Sequence, residues 1–112
     1  MNITSYPNVA ALPNPHGVDA RKLYDTEHAQ VVHLTLKPGE SLKKHVTPVD
    51  VVFYVLRGTG VVEIGDEEVE VMADACIDSP ARIPHRWRNA GDSDLRLLVV
   101  KVPRPQAKTR VL

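Results

Sequence analysis

A chain of 112 residues with 43% apolar content suits one hydrophobic core and leaves no room for a second domain. Its 14 basic and 14 acidic residues cancel, so bulk electrostatics recruits neither nucleic acid nor an anionic membrane, and the expected partner is a small molecule or another protein. No apolar run reaches the roughly 20 residues of a membrane span, no charged-then-apolar leader opens the chain, and the single Cys76 allows no internal disulfide, so the expected location is cytoplasmic.

The first segment carries Pro7, Pro13, Pro15 and Gly17 and shows no regular pattern, so residues 1–22 are expected to form an N-terminal arm, with His16 and His28 on the surface. Short runs rich in β-branched residues then predict strands over 31–36, 51–56, 61–64, 69–72, 75–79, 85–88 and 95–102. Pro38-Gly39, Gly58-Thr-Gly60, Gly65-Asp66 and Gly91-Asp92 close these runs, and Gly65-Asp66-Glu67-Glu68 reads as a hairpin turn. Pro103 and Pro105 mark residues 103–112 as a tail, which leaves a core of about 31–102. Many short strands with little helix indicate an all-β sandwich or barrel. An arm lying along a neighbouring subunit would cover an edge strand, so a homodimer is expected.

Two segments each set one histidine among strand-forming residues. Gly39-Glu-Ser-Leu-Lys-Lys-His45-Val-Thr47-Pro-Val-Asp50-Val51-Val-Phe53-Tyr-Val-Leu-Arg-Gly58 resembles the first cupin motif, Gly-x5-His-x-His-x3-Glu-x6-Gly. Asp74-Ala-Cys-Ile-Asp-Ser-Pro80-Ala-Arg82-Ile-Pro-His85-Arg-Trp-Arg-Asn89 resembles the second, Gly-x5-Pro-x-Gly-x2-His-x3-Asn. The chain is thus similar to small single-domain cupins of the conserved-barrel type, and the resemblance implies an all-β double-stranded β-helix, or jelly-roll, barrel. In that family two histidines and a Glu of the first motif join the histidine of the second around one metal ion. Here Thr47 stands at the second histidine, Val51 at the Glu, and Asp74 and Arg82 at the two glycines of the second motif.

The resemblance implies a divalent metal (Zn, Fe, Mn or Ni) held by His45 and His85, acting on or binding a small polar metabolite. Such ions usually take three or more protein ligands. Asp50, one residue before the Glu position, could serve as the third if a bulge turned it inward; His33, which alternates with Val32, Leu34 and Leu36, is the other candidate. Thr47 would lie nearby. In the family register Val51, Phe53 and Val55 look inward, as do His85, Trp87 and Asn89, while Arg86 and Arg88 point out. Phe53, Trp87 and Asn89 are therefore cavity-wall candidates, and Arg82, with Lys43 or Lys44, is placed to attract an anionic group at the barrel mouth. Cys76, with no basic neighbour, reads as a small buried hydrophobe, and Ser41 and Ser79 lack a nucleophile-elbow context. Three functional classes follow from the resemblance: a metalloenzyme, a metal-free ligand-binding or sensing module, and a structural subunit.

Overall fold

Alternation of buried and half-exposed residues, clearest over 51–56, 85–88 and 95–100, decides how the short strands stack. In the computed structural model, which describes residues 1–112, a 3-10 turn at Tyr6–Asn8 precedes β1 (Asp19–Asp25), β2 (Gln30–Leu36), β3 (His45–Val46), β4 (Val51–Arg57), β5 (Thr59–Ile64), β6 (Glu67–Met72), β7 (Cys76–Ser79), β8 (His85–Arg88), β9 (Leu95–Lys101) and β10 (Arg110–Val111). Five strands form one antiparallel sheet in the order β1-β2-β9-β4-β7, and five form a second in the order β10-β3-β8-β5-β6. This is the all-β double-stranded barrel expected from the motifs.

The inner face of the first sheet presents Leu34 and Leu36 from β2, Leu95, Leu97 and Val99 from β9, and Val51, Phe53 and Val55 from β4. Trp87 and Val62 meet them from the second sheet. Removing this apolar surface from water is the main favourable term holding the two sheets together. Gly65 turns β5 into β6 at φ +58, as the hairpin reading requires. No helix is long and apolar enough to cross a membrane.

The termini depart from the expected arm and tail. β1 begins inside the expected arm and pairs with β2 along six registered positions from Asp19↔Thr35 to Asp25↔Gln30. Its sequence, Asp-Ala-Arg-Lys-Leu-Tyr-Asp, has low β-propensity, and what holds it is the open edge of β2 rather than its own composition. At the other end β10 returns across the barrel to pair with β3. Cys76 is exposed rather than buried, because alternation on β7 turns Ile77 and Ser79 inward and Cys76 and Asp78 out. The two lost family glycines leave a visible trace: Asp74 at φ 75 and Arg82 at φ 65 keep the left-handed conformation without the residue that adopts it freely.

Candidate functional site

One end of the barrel stays open as a cavity of about 540 Å³. His45 and His85 face each other across the β3–β8 pair, with ring centroids 4.5 Å apart and planes nearly perpendicular. His16 lies 4.7 Å beyond His45, and Phe53 5.3 Å beyond His85, so four rings line the wall in a row, with Trp87 packed behind Phe53 at 5.5 Å.

Hydrogen bonds to the backbone fix the tautomers of two of these rings. The backbone of Lys43 serves both: its N–H donates to His16 Nδ1 at 2.9 Å, and its carbonyl, which can only accept, lies 2.7 Å from His45 Nδ1. A neutral His45 therefore carries its proton on Nδ1 and leaves Nε2 as a bare acceptor. A neutral His16 carries its proton on Nε2, as a donor. His85 is held at both nitrogens by hydroxyls, Ser79 Oγ at 2.6 Å and Thr47 Oγ1 at 3.3 Å. Burial first, then the cost of a second charge beside His45, and then the Lys101 ammonium, pull His16 down to about 4 and His85 down to about 3. Burial also lowers His45, outweighing the opposing pull of the Lys43 carbonyl. All three rings are neutral at pH 7.

The residues named from sequence separate into two groups. His45, Thr47, Phe53 and His85 come together on the cavity wall. Asp50 does not join them: it is exposed, and its carboxylate accepts the Ala81 N–H at 2.8 Å, so the turn points it away from the cavity. His33 is buried on the opposite face of the first sheet, under the Tyr6 ring at 4.0 Å, with Nε2 accepting from Arg96 Nε at 3.1 Å. There the apolar triplet Val32, Leu34 and Leu36 takes the inner face and leaves His33 the outer one. Asn89 is buried but structural: its amide donates to the carbonyls of Leu36 and Ser93 at 2.9 and 2.8 Å, and its Oδ1 accepts the Gly91 N–H. Trp87 belongs to the packed core. Arg82 sits on a turn outside the cavity, its backbone N–H donating to the Thr47 carbonyl at 2.9 Å. Arg86 and Arg88 point outward as expected and pair with Glu63 and Glu68.

Two residues of the site escaped the sequence reading. His16 arrives on the turn Asn14–Gly17, where Asn14 Oδ1 accepts the His16 N–H at 3.1 Å and Gly17 sits at φ 70. Asn-Pro-x-Gly signals a turn, but nothing local says that the turn folds over the barrel mouth. Lys101 had a usable signal: alternation along β9 puts it on the same face as Leu95, Leu97 and Val99, a cation among inward-facing hydrophobes.

The donor set does not fit the metal of the family motif. Asp50 and His33 are elsewhere, His16 spends one nitrogen on Lys43 and protonates the other, and Thr47 offers only a neutral hydroxyl. No group of three or more His, Cys, Asp or Glu side chains is arranged to hold an ion.

Residues 32–101 match the model of the cupin domain, the span that contains both motif histidines, most of β2 and the barrel strands β3 to β9. The chain belongs to the cupin family. Among solved structures, this cupin is similar to TT1209 from Thermus thermophilus, with 34% identity, 94% of this chain and 100% of that one covered, and a TM-score of 0.80. It shares its fold with the polyketide cyclase RemF from Streptomyces resistomycificus, at 22% identity and a TM-score of 0.85 over 100% of this chain and 85% of that one. The uncharacterized protein MJ0764 of Methanocaldococcus jannaschii is 28% identical over 86 residues, 76% of this chain and 74% of that protein.

Proposed function

We propose that this cupin binds a small, largely apolar metabolite in its barrel without a metal ion, and that His45 and His16 contact the polar group of that molecule as acceptor and donor. The observation that carries this reading is the Lys43 backbone, which gives two adjacent imidazoles opposite tautomers by lending one its N–H and the other its carbonyl. Neutral imidazoles of opposite polarity side by side can bind a group such as a carbonyl with its acidic neighbour. His45 Nε2 can also take a proton from such an acidic group, while the His16 Nε2–H donates a hydrogen bond to the negative charge left behind. The surrounding wall of Val32, Leu34, Leu42, Val51, Phe53 and Val99 suits an apolar body.

The competing reading is a divalent ion on His45 and His85. Elemental analysis of untagged protein, after exposure to Zn, Fe, Mn and Ni, separates the two when wild type, His45→Ala and His85→Ala are compared. Metal well below one ion per chain in all three is expected. Stoichiometric metal in the wild type that vanishes in both variants would replace our reading with the metal one.

We also propose a homodimer. The outer face of the first sheet aligns Val31, Val100 and Val52 across β2, β9 and β4, with Leu98 beside Tyr54 in the next row, an apolar patch suited to a second copy. A light-scattering mass of a single 12.4 kDa chain would exclude it.

A further inference from the structure

The cavity wall contains no carboxylate, although the chain has 14 Asp and Glu residues. Its charged side chains are all basic: Lys101, Arg104 and Lys108. Arg104 is committed to Asp25, which its guanidinium grips at both carboxylate oxygens. Lys108 is exposed at the rim. Lys101 is different. It projects from the inner face of β9, opposite Gln30 on β2 and Val51 on β4, and the only hydrogen-bond partner of its ammonium is Thr109 Oγ1 at 3.5 Å.

An ammonium brought into an apolar barrel without a counter-ion loses hydration and receives nothing comparable in return. That burial pulls the Lys101 amine below its ordinary range, and its charge in turn helps lower all three cavity histidines, so its field reaches across the site. With every nearby imidazole neutral, a negative charge entering this space would meet the unpaired Lys101 ammonium inside, Lys108 at the rim and several hydrogen-bonding nitrogens, with no acid to repel it.

We propose that the ligand of this cavity is an organic monoanion, a carboxylate on an apolar body, with its charge on Lys101 Nζ and its body against Val32, Phe53 and Val99. This rests on the reading of the barrel as a metal-free small-molecule site and names the charge class of the molecule it takes. It also relocates the anion attraction expected of Arg82 to a residue inside the barrel.

Three probes of one shape and different charge test it: 2-naphthoate, 2-naphthamide and 2-naphthylmethylamine, titrated into the full chain at pH 7.5 and followed by calorimetry and by the imidazole NMR signals of His16 and His45. On wild type, naphthoate should bind roughly ten- to a hundredfold tighter than naphthamide, the advantage of a charge-assisted hydrogen bond over a neutral one, and the amine should bind weakest. Lys101→Met should reduce the acid-over-amide preference to about twofold or less while the amide keeps its affinity. Lys101→Arg and Lys108→Gln should both retain the preference. Should Lys101→Met fail to fold, the wild-type ratio and Lys101→Arg still decide. Equal binding of acid and amide to wild type, or a preference that survives Lys101→Met, would overturn the charge assignment and leave the cavity reading standing. If none of the three probes binds, the cavity reading fails and takes this inference with it.

Discussion

The two ends of the barrel are built from the same strands and do opposite things. Along β9 the inward residues run Leu95, Leu97, Val99, Lys101, and only the last two line the cavity. Along β8, Trp87 is fully buried in the packed end while His85, two residues earlier, lies on the cavity wall. At the closed end a Cβ added to Gly60 would come within 2.6 Å of the Leu95 side chain and 3.0 Å of the Trp87 ring, so any larger residue must push these neighbours aside. At the open end the same alternation supplies His45, His85 and the Lys101 ammonium, and the Asn14–Gly17 turn adds His16, around about 540 Å³ of space. The closed end holds the sheets together by apolar burial, and the open end gives up some of that burial to keep polar groups where a ligand can reach them.

This division predicts a graded set of responses. Leu97→Ala at the closed end should cost about 2–5 kcal/mol in urea unfolding. Lys101→Met at the open end should leave stability unchanged or improve it, because it replaces an unpaired, half-buried cation with a side chain of similar length. Comparable losses from both variants would erase the distinction. Gly60→Ala should cost roughly 1–3 kcal/mol through overpacking against Leu95 and Trp87, without altering probe affinity at the far end. A crystal structure showing a displaced Trp87 would identify the mechanism.

Acid should act on the open end first. His16, His45 and His85 have pKa values below the unfolded value of 6.5, so between pH 6.5 and their folded values the unfolded chain binds more protons than the native one. The stability they contribute is fully present above 6.5 and is lost as pH falls from there toward about 4 for His16 and about 3 for His85. Each neutral ring contributes a slope of about 1.4 kcal/mol per pH unit in that window. His33, lowered to about 4 by burial first and then by the Arg96 charge, adds to the slope from the outer face of the first sheet. Urea midpoints from pH 7.5 to 4.5 should therefore fall well before the carboxylates titrate, and His85→Gln should flatten the curve.

The smallest effect lies outside both ends. Arg82→Gly should raise stability by roughly 0.5–1 kcal/mol, the left-handed strain relieved less the added freedom of the unfolded chain. Asp74→Gly should give less, because it also removes the acceptor of the Tyr54 hydroxyl. A thermal melt that shows Arg82→Gly below wild type would mean that the turn depends on the arginine side chain.

Much of this protein was legible in its sequence. Period-two alternation and β-branched runs located the seven central strands within a residue or two, because a half-buried strand must write its two faces into the sequence. Motif spacing brought His45, Thr47, Phe53 and His85 to one wall. The same alternation suffices to mark Lys101 as an inward cation, since that rule needs only the strand. What the sequence could not determine was where weakly patterned segments go. β1 and β10 take their conformation from open strand edges far away in the chain, and His16 reaches the site on a turn whose direction is set by what it packs against. Asp50, His33 and Asn89 had suitable chemistry, yet a backbone N–H, an aromatic ring on the opposite face and a set of loop carbonyls claimed them. Local pattern fixes which face of a strand a side chain takes, but the partner that satisfies it is chosen by contacts between residues distant in sequence, and those exist only once the sheets have closed on each other.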